Sequence, residues 1–183
     1  KSVFYFPIWG DDYIKLFSDF ALKCLFNNLN KLDKGMLKNS QIEIWTLKKD
    51  IPKLKALKNI KLLKKKIQIN IESIDLIYES LDQSYLNKYQ TLSVLQKIFI
   101  NSHSRKFEYF WFIYPDFIFS DQMIKNFYDI KKKYDAYFIP VPQLIEEKVE
   151  VAFKAKNFEA NTKNITNLLF KYLHPIVKIC DVD

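Results

Sequence analysis

Glycine, arginine, cysteine and histidine are all scarce in this 183-residue chain, which carries two glycines, two cysteines, two histidines and a single arginine, Arg105. Neither Gly10 nor Gly35 has a glycine partner at dinucleotide-binding or Walker spacing, so the glycine-rich loops that cradle phosphates in those folds are excluded. A protein built to read bases would use arginine for bidentate contacts, and its near absence argues against specific nucleic-acid recognition. Cys24 and Cys180 stand far apart, and no CxxC, His-Cys cluster or HExxH occurs, so the expectation is two reduced thiols and no zinc site. The chain opens without a charged leader and apolar core, and no run of about 18 apolar residues could serve as a membrane span. These absences predict a cytoplasmic protein, with peripheral contact at the inner membrane face as its only membrane association.

What the chain does have is apolar and aromatic mass: 49% of residues are hydrophobic and 16% aromatic, enough to offset chain entropy in a packed core. The net charge of +8 is almost all lysine and suggests attraction to acidic lipid or nucleotide phosphates. With no Pro/Gly/Ser-rich linker, repeat or change of composition, residues 1–183 read as a single domain.

Apolar periodicity orders the elements. Val3 to Trp9 reads as a buried strand, stopped at Pro7 to Gly10 and followed by Asp11 and Asp12 as a helix cap. Tyr13, Phe17, Phe20, Ala21, Cys24 and Leu25 then mark one apolar helix face, and Asn27 to Ser40 reads as a solvated loop. A strand over Gln41 to Leu47, a basic helix over Ile51 to Leu63, a strand over Ile67 to Ile71 and a helix over Leu86 to Ser104 follow. Tyr109 to Ile113, an unbroken apolar run, reads as the central strand. Ser120 and Asp121 are expected to cap a helix over Gln122 to Tyr134. Ala136 to Val141 reads as a strand, Val149, Val151 and Phe153 alternate as another, and Thr162 to Leu173 reads as a last helix. Alternation of strand and helix predicts an α/β fold, an open and mostly parallel sheet flanked by helices. In such sheets ligands bind beyond the carboxyl ends of the strands, which singles out Pro7 to Asp12, Thr46 to Lys48 and Tyr114 to Asp116.

Three places there could carry chemistry. Asp116 leaves the most hydrophobic strand and could hold Mg²⁺ or Mn²⁺ or simply make a turn, while Asp121 suits a helix cap. The loop Pro7-Ile8-Trp9-Gly10-Asp11-Asp12-Tyr13 could offer backbone amides to an anion and Trp9 or Tyr13 to a base. His174, before Pro175, could meet a metal or phosphate or only close a helix, and His103 lies in a charged segment. Glu146 and Glu147 could supply a base or lie on the surface.

The stretch Phe110-Trp-Phe-Ile-Tyr-Pro-Asp-Phe-Ile-Phe-Ser-Asp121 resembles the strand of GT-A fold glycosyltransferases that ends in their Asp-x-Asp motif. Trp-Gly-Asp-Asp-Tyr after the first strand, Ile44-Trp45-Thr46, and Leu173-His174-Pro175 look like a bacterial group of GT-A-like sugar transferases. The resemblance covers most of the chain, with its specificity in the two strand ends. It implies a GT-A (Rossmann-like) domain in polysaccharide biosynthesis, moving a sugar from a nucleotide-sugar to a cell-surface glycan or lipid-linked acceptor. It implies that Pro7, Trp9, Gly10, Asp12, Tyr13, Thr46, Tyr114, Pro115, Asp116 and His174 meet the donor. Asp116 matches the motif's last acid, the metal ligand for Mn²⁺ or Mg²⁺, and Tyr114 replaces its first. That replacement admits a metal-independent enzyme in which lysines, histidine and helix termini neutralise the leaving diphosphate. An inverting enzyme would need a base, for which Glu146 or Glu147 is the candidate. Relatives continue beyond the position of Asp183, so a C-terminal acceptor part is expected to be absent from this chain. Two alternatives stand beside this reading: a non-catalytic GT-like domain that binds an acidic membrane surface or nucleic acid through lysines, and a nucleotidyltransferase, which would normally carry a glycine- and arginine-rich first loop.

Overall fold

A computed structural model of the chain describes residues 1–81, 87–130, 146–154 and 161–172, and within it the chain forms two compact units. One comprises Lys1–Ser18 and Asp33–Asp116; the other comprises Asp19–Leu32 and Phe117–Asp183.

The first unit is built on four parallel strands, β1 (Ser2–Pro7), β2 (Ser40–Thr46), β3 (Gln68–Ser73) and β4 (Tyr109–Phe112), in the order β3-β2-β1-β4. Parallel neighbours need crossovers, and the chain supplies helices for them. These are α1 (Asp11–Asp19), α2 (Ala21–Leu29) and α3 (Lys34–Lys38) before β2, and α4 (Ile51–Ala56) and α5 (Lys58–Leu63) before β3. Between β3 and β4 come α6 (Asp75–Ser80) and α7 (Lys88–His103). The α/β class and the parallel, helix-flanked sheet are therefore as the apolar periodicity predicts.

Successive residues of a strand face opposite sides, and in β1 both sets are buried: Val3 and Tyr5 on one face, Phe4 and Phe6 on the other. Tyr5 and Val3 join Trp45, Ile74, Phe107 and, from α7, Leu95 and Phe99 in one cluster. Tyr5 stacks on Phe99 with ring centres 4.2 Å apart. On the reverse face Phe6 meets Phe17 of α1 at 5.2 Å and Phe4 meets Trp111 at 5.5 Å. Each such fully buried ring contributes about 2–3 kcal/mol of transfer free energy, which is why β1 anchors the unit.

The strand expected to be central, Tyr109 to Ile113, does not lie between two others among the described residues. Among the described residues β4 ends the strand order, its Tyr109, Phe110 and Phe112 are only half-buried, and β1 and β2 are the strands buried on both faces. An unbroken apolar run marks two-sided cover, but aromatic rings also cover neighbours from an edge. The loop expected over Asn27 to Ser40 contains the end of α2 and the short α3, whose cap is the Asp33 side chain accepting from the Met36 amide at 2.7 Å. The basic helix over Ile51 to Leu63 breaks at Leu57, whose ψ of 128° is extended. The amphipathic helix from Tyr13 breaks likewise at Phe20, between α1 and α2. The helix α7 starts with a reciprocal capping box: Asn87 accepts from the Gln90 amide and the Gln90 side chain accepts from the Asn87 amide.

The second unit contains α2, α8 (Met123–Ile130), α9 (Glu146–Lys154) and α10 (Thr162–Tyr172). The alternation of Val149, Val151 and Phe153 belongs to α9 and not to a strand. Val149 and Phe153, four apart, share the buried helix face, while Val151 is 73% exposed, the pattern of a helix with an apolar stripe. Asp121 does not cap α8. Its carboxylate accepts from the amide and hydroxyl of Thr162 at 3.1 Å each and pairs with Lys31. The amide of Ile124 is met instead by Asn28 Oδ1 at 3.0 Å, while the Asn28 amide donates to Cys24 and Ser120 carbonyls. Burial raises Asp121, but donation from Lys31 and Thr162 outweighs it and leaves the carboxyl below its ordinary value. Burial also pushes the Cys24 thiol up to about 12, so it is an inert, packed thiol. The expected strand over Ala136 to Val141, residues 131–134 of the preceding helix, Leu86, Leu173, His174 and Cys180 lie outside the described residues. No helix among the described residues is long and apolar enough to cross a membrane.

Candidate active site at the strand carboxyl ends

The chain lays β2 and β3 to one side of β1 and then returns to place β4 on the other, so the strand order reverses between β1 and β4. In open parallel sheets the ligand crevice is expected at such a reversal, beyond the carboxyl ends of the strands. The segments at its two lips are Pro7 to Tyr13 after β1 and Ile113 to Asp116 after β4, which contain two of the three stretches that the sequence singles out, Pro7 to Asp12 and Tyr114 to Asp116; the third, Thr46 to Lys48, follows β2.

The loop after β1 is held by backbone geometry and by one buried acid. Gly10 takes φ +84°, a left-handed conformation that glycine tolerates and other residues pay to adopt. A Cβ there would meet nothing within 4 Å, so conformation and not space demands the glycine. The Gly10 amide donates to Asp50 Oδ2 at 2.8 Å, and Asp50, fully buried, also accepts from Lys53 Nζ at 3.2 Å. Lys53 pairs in turn with Asp11. The hydrogen bond from Lys53 holds the Asp11 carboxyl below its ordinary value, and the bonds to Asp11 and Asp50 hold Lys53 above its own. Asp50 is therefore a clasp between the β1 exit and the β2 exit. The helix start expected to offer amides to an anion already has anions: Asp50 on Gly10, and Asp11 and Asp12 in the first turn of α1.

The aromatic residues divide. Trp9 is half-buried, packs on the cluster under α7 and meets Tyr78 edge-on at 5.9 Å, so one part of its ring is structural and the rest faces out. Tyr13, also half-buried, is covered by Lys88, whose ammonium lies 4.5 Å from the ring centre and donates to the phenol oxygen. Donation to Tyr13 comes first among the influences that raise Lys88, and the charge of Asp116 adds to it. Lys88 thus joins the two lips electrostatically. Asp116 is exposed, Pro115 is buried, and the Tyr114 hydroxyl accepts from Gln96 of α7 at 2.9 Å.

Other expected residues have other surroundings. Pro7 ends β1 opposite Trp45, and Thr46 is fully buried with its Oγ1 unpartnered and its carbonyl bonded to the Ile74 amide at 2.9 Å. Glu146 and Glu147 form the first turn of α9, with side chains outside the described set. His103 sits on α7, stacked on Phe99 at 4.4 Å, and reads as a packing residue.

Asp50, Lys53 and Lys88 are absent from the sequence expectation. Asp50-Ile51-Pro52 carries a helix-start signal, yet the carboxylate makes no cap bond to its own helix and goes to Gly10. Lys88 gives no signal among so many lysines.

Mg²⁺ or Mn²⁺ requires converging oxygen ligands. Asp116 brings one carboxylate with an ammonium as neighbour, and no three His, Cys, Asp or Glu side chains gather into a metal site among the described residues. The described residues do not fit a preformed metal site. Comparisons with protein-family models, with curated proteins and with solved structures return no match for this chain.

Proposed function

We propose that the chain is a glycosyltransferase domain of GT-A type that takes a nucleotide-sugar at the crevice between the carboxyl ends of β1 and β4. The observation that carries this reading is the cation Lys88 held over Tyr13 at the β1 lip, with the charge of Asp116 at the β4 lip acting on it. A nucleotide-sugar diphosphate needs a surface for the base, a cation for the diphosphate and an acceptor for sugar hydroxyls. Trp9 and Tyr13 suit the first, Lys88 the second and Asp116 the third.

In the reaction an acceptor hydroxyl of a glycan or lipid-linked sugar attacks the anomeric carbon. The bond from that carbon to the diphosphate oxygen breaks, the electron pair leaves with the nucleoside diphosphate, and the hydroxyl proton passes to a carboxylate or water. Charge accumulates on the leaving diphosphate, and an ammonium already in place stabilises it without reorganisation.

The test is thermal shift and calorimetry of the chain with UDP-, GDP- and CMP-sugars, with and without Mn²⁺, repeated on Lys88→Ala and Asp116→Ala. Binding of one donor class that weakens roughly tenfold or more in Lys88→Ala supports the reading. Failure of every donor to bind, or binding indifferent to both substitutions, overturns it.

A further inference from the structure

At the opposite end of the same sheet a cleft of about 410 Å³ opens beside the first residues of β2 and β3. That volume lies within the range of small-ligand sites. Its lining is lysine to an unusual degree: Lys1, Lys38, Lys64, Lys65, Lys66 and Lys106 are six of thirteen lining residues, and none of the thirteen is acidic. In the whole chain fewer than one residue in six is basic, with 29 of 183, and 21 are acidic.

Helix-end electrostatics accounts for part of this. Lys64 to Lys66 follow α5, where cations suit the carbonyl end of a helix. Lys38 closes α3 in the same way, but helix ends account neither for Lys1 nor for the convergence of Lys1, Lys38 and Lys106, on three other segments, at one cleft. The turn that bears the triplet is rigid, with the amides of Lys64, Lys65 and Lys66 bonded to the carbonyls of Ile60, Leu62 and Leu63 at 3.0, 3.2 and 2.8 Å. The rest of the lining adds hydrogen-bonding side chains, among them Ser40, Gln41 and Gln68. Ammonium groups gathered around a concave surface repel one another and raise the local concentration of anions.

We infer that this amino-end cleft is a binding site for a group of clustered phosphates, carried by a soluble oligophosphate or by phospholipid headgroups. The ligand must be multivalent, because lysine ammoniums act as separate point charges and one phosphate cannot reach lysines on four segments. The seven residues of β2 separate the cleft from the donor crevice by about 20 Å, so either site can fail without the other.

The experiment compares the chain with K64Q/K65Q/K66Q and with a control, K55Q/K58Q/K61Q, which removes as many exposed lysines from α4 and α5 away from the lining. Tripolyphosphate is titrated by calorimetry at low salt, and vesicles of phosphatidylcholine with and without phosphatidylglycerol are tested by co-sedimentation. The cleft variant should lose about tenfold or more in affinity while the control changes within about twofold, since each lysine near an anionic surface contributes about 1 kcal/mol. Tripolyphosphate binding without vesicle binding assigns the soluble source. Co-sedimentation confined to phosphatidylglycerol vesicles and displaced by tripolyphosphate assigns the lipid source. Lys38→Glu with Lys106→Glu, which charges the cleft from two other segments, gives the same readout if the triple variant fails to fold. Binding of neither probe overturns the inference, as does equal loss in cleft and control variants, or single-stranded RNA binding in preference to both probes.

Discussion

The first unit has one buried carboxylate at the carboxyl end of its sheet and another in the middle of β2, and the two are treated differently. At the carboxyl end Asp50 accepts from a backbone amide and a lysine, and the acids and lysines around it interlock. In the middle of β2 Glu43, 1% exposed, accepts from the side-chain amides of Gln41 and Asn70, the latter at 3.0 Å. Burial raises Glu43 above its ordinary value, and the hydrogen bonds and the fields of His103 and Lys106 offset this only in part. One carboxylate ties two loops together with a lysine as a direct partner; the other is buried within the sheet with side-chain amides as its donors. Around Asp50 acid and base pair within the protein, whereas the cleft at the amino end is lined by six lysines and no acid.

Substitutions can break this contrast, beginning with the largest effect. Asp50→Ala should destabilise the chain by about 3 kcal/mol in urea unfolding, because it strands the Gly10 amide and a lysine. Gly10→Ala should cost about 1–2 kcal/mol, a purely conformational penalty since the methyl group would meet open space. Glu43→Gln should go the other way, adding up to about 1 kcal/mol above neutral pH, because an amide keeps the hydrogen bonds without a buried charge. Asp11→Ala, which removes an exposed partner of Lys53, should leave urea unfolding unchanged within error, and a large loss would mean that the interlock and not Asp50 holds the loop.

The pH dependence separates the two kinds of carboxylate. A raised folded-state value means that the folded chain holds the Glu43 proton where the unfolded chain has released it. The stability from Glu43 is therefore present below the ordinary glutamate value and lost as pH rises through the folded one. Asp121 in the second unit has the opposite sign, with stability present above the ordinary aspartate value and lost as pH falls through the folded one. Urea unfolding followed across the acid range should show a falling limb toward low pH that Asp121→Asn removes, and Glu43→Gln should flatten the decline above it.

The sequence by itself determined the class of the fold. Period-two and period-3.6 apolar patterns are local, and parallel strands joined by helices place β1 and β4 exits at one end whatever the side chains do there. The same local logic erred at Val149 to Phe153, where a span of five residues suits either period and only burial of the residues four apart decides. It also could not tell a capping aspartate from a tertiary one. Asp121 is expected as a helix cap and Asp50 stands just before α4, and both carboxylates go to partners distant in sequence, Thr162 and Gly10. Which of 29 basic residues matter was likewise left to the tertiary structure. Lys88 acquires a role because α7 sets it over Tyr13 and near Asp116, and the amino-end lysines because four segments converge on one cleft. Periodicity is a property of neighbours along the chain, whereas a charge takes its meaning from whichever groups folding brings within a few ångströms of it.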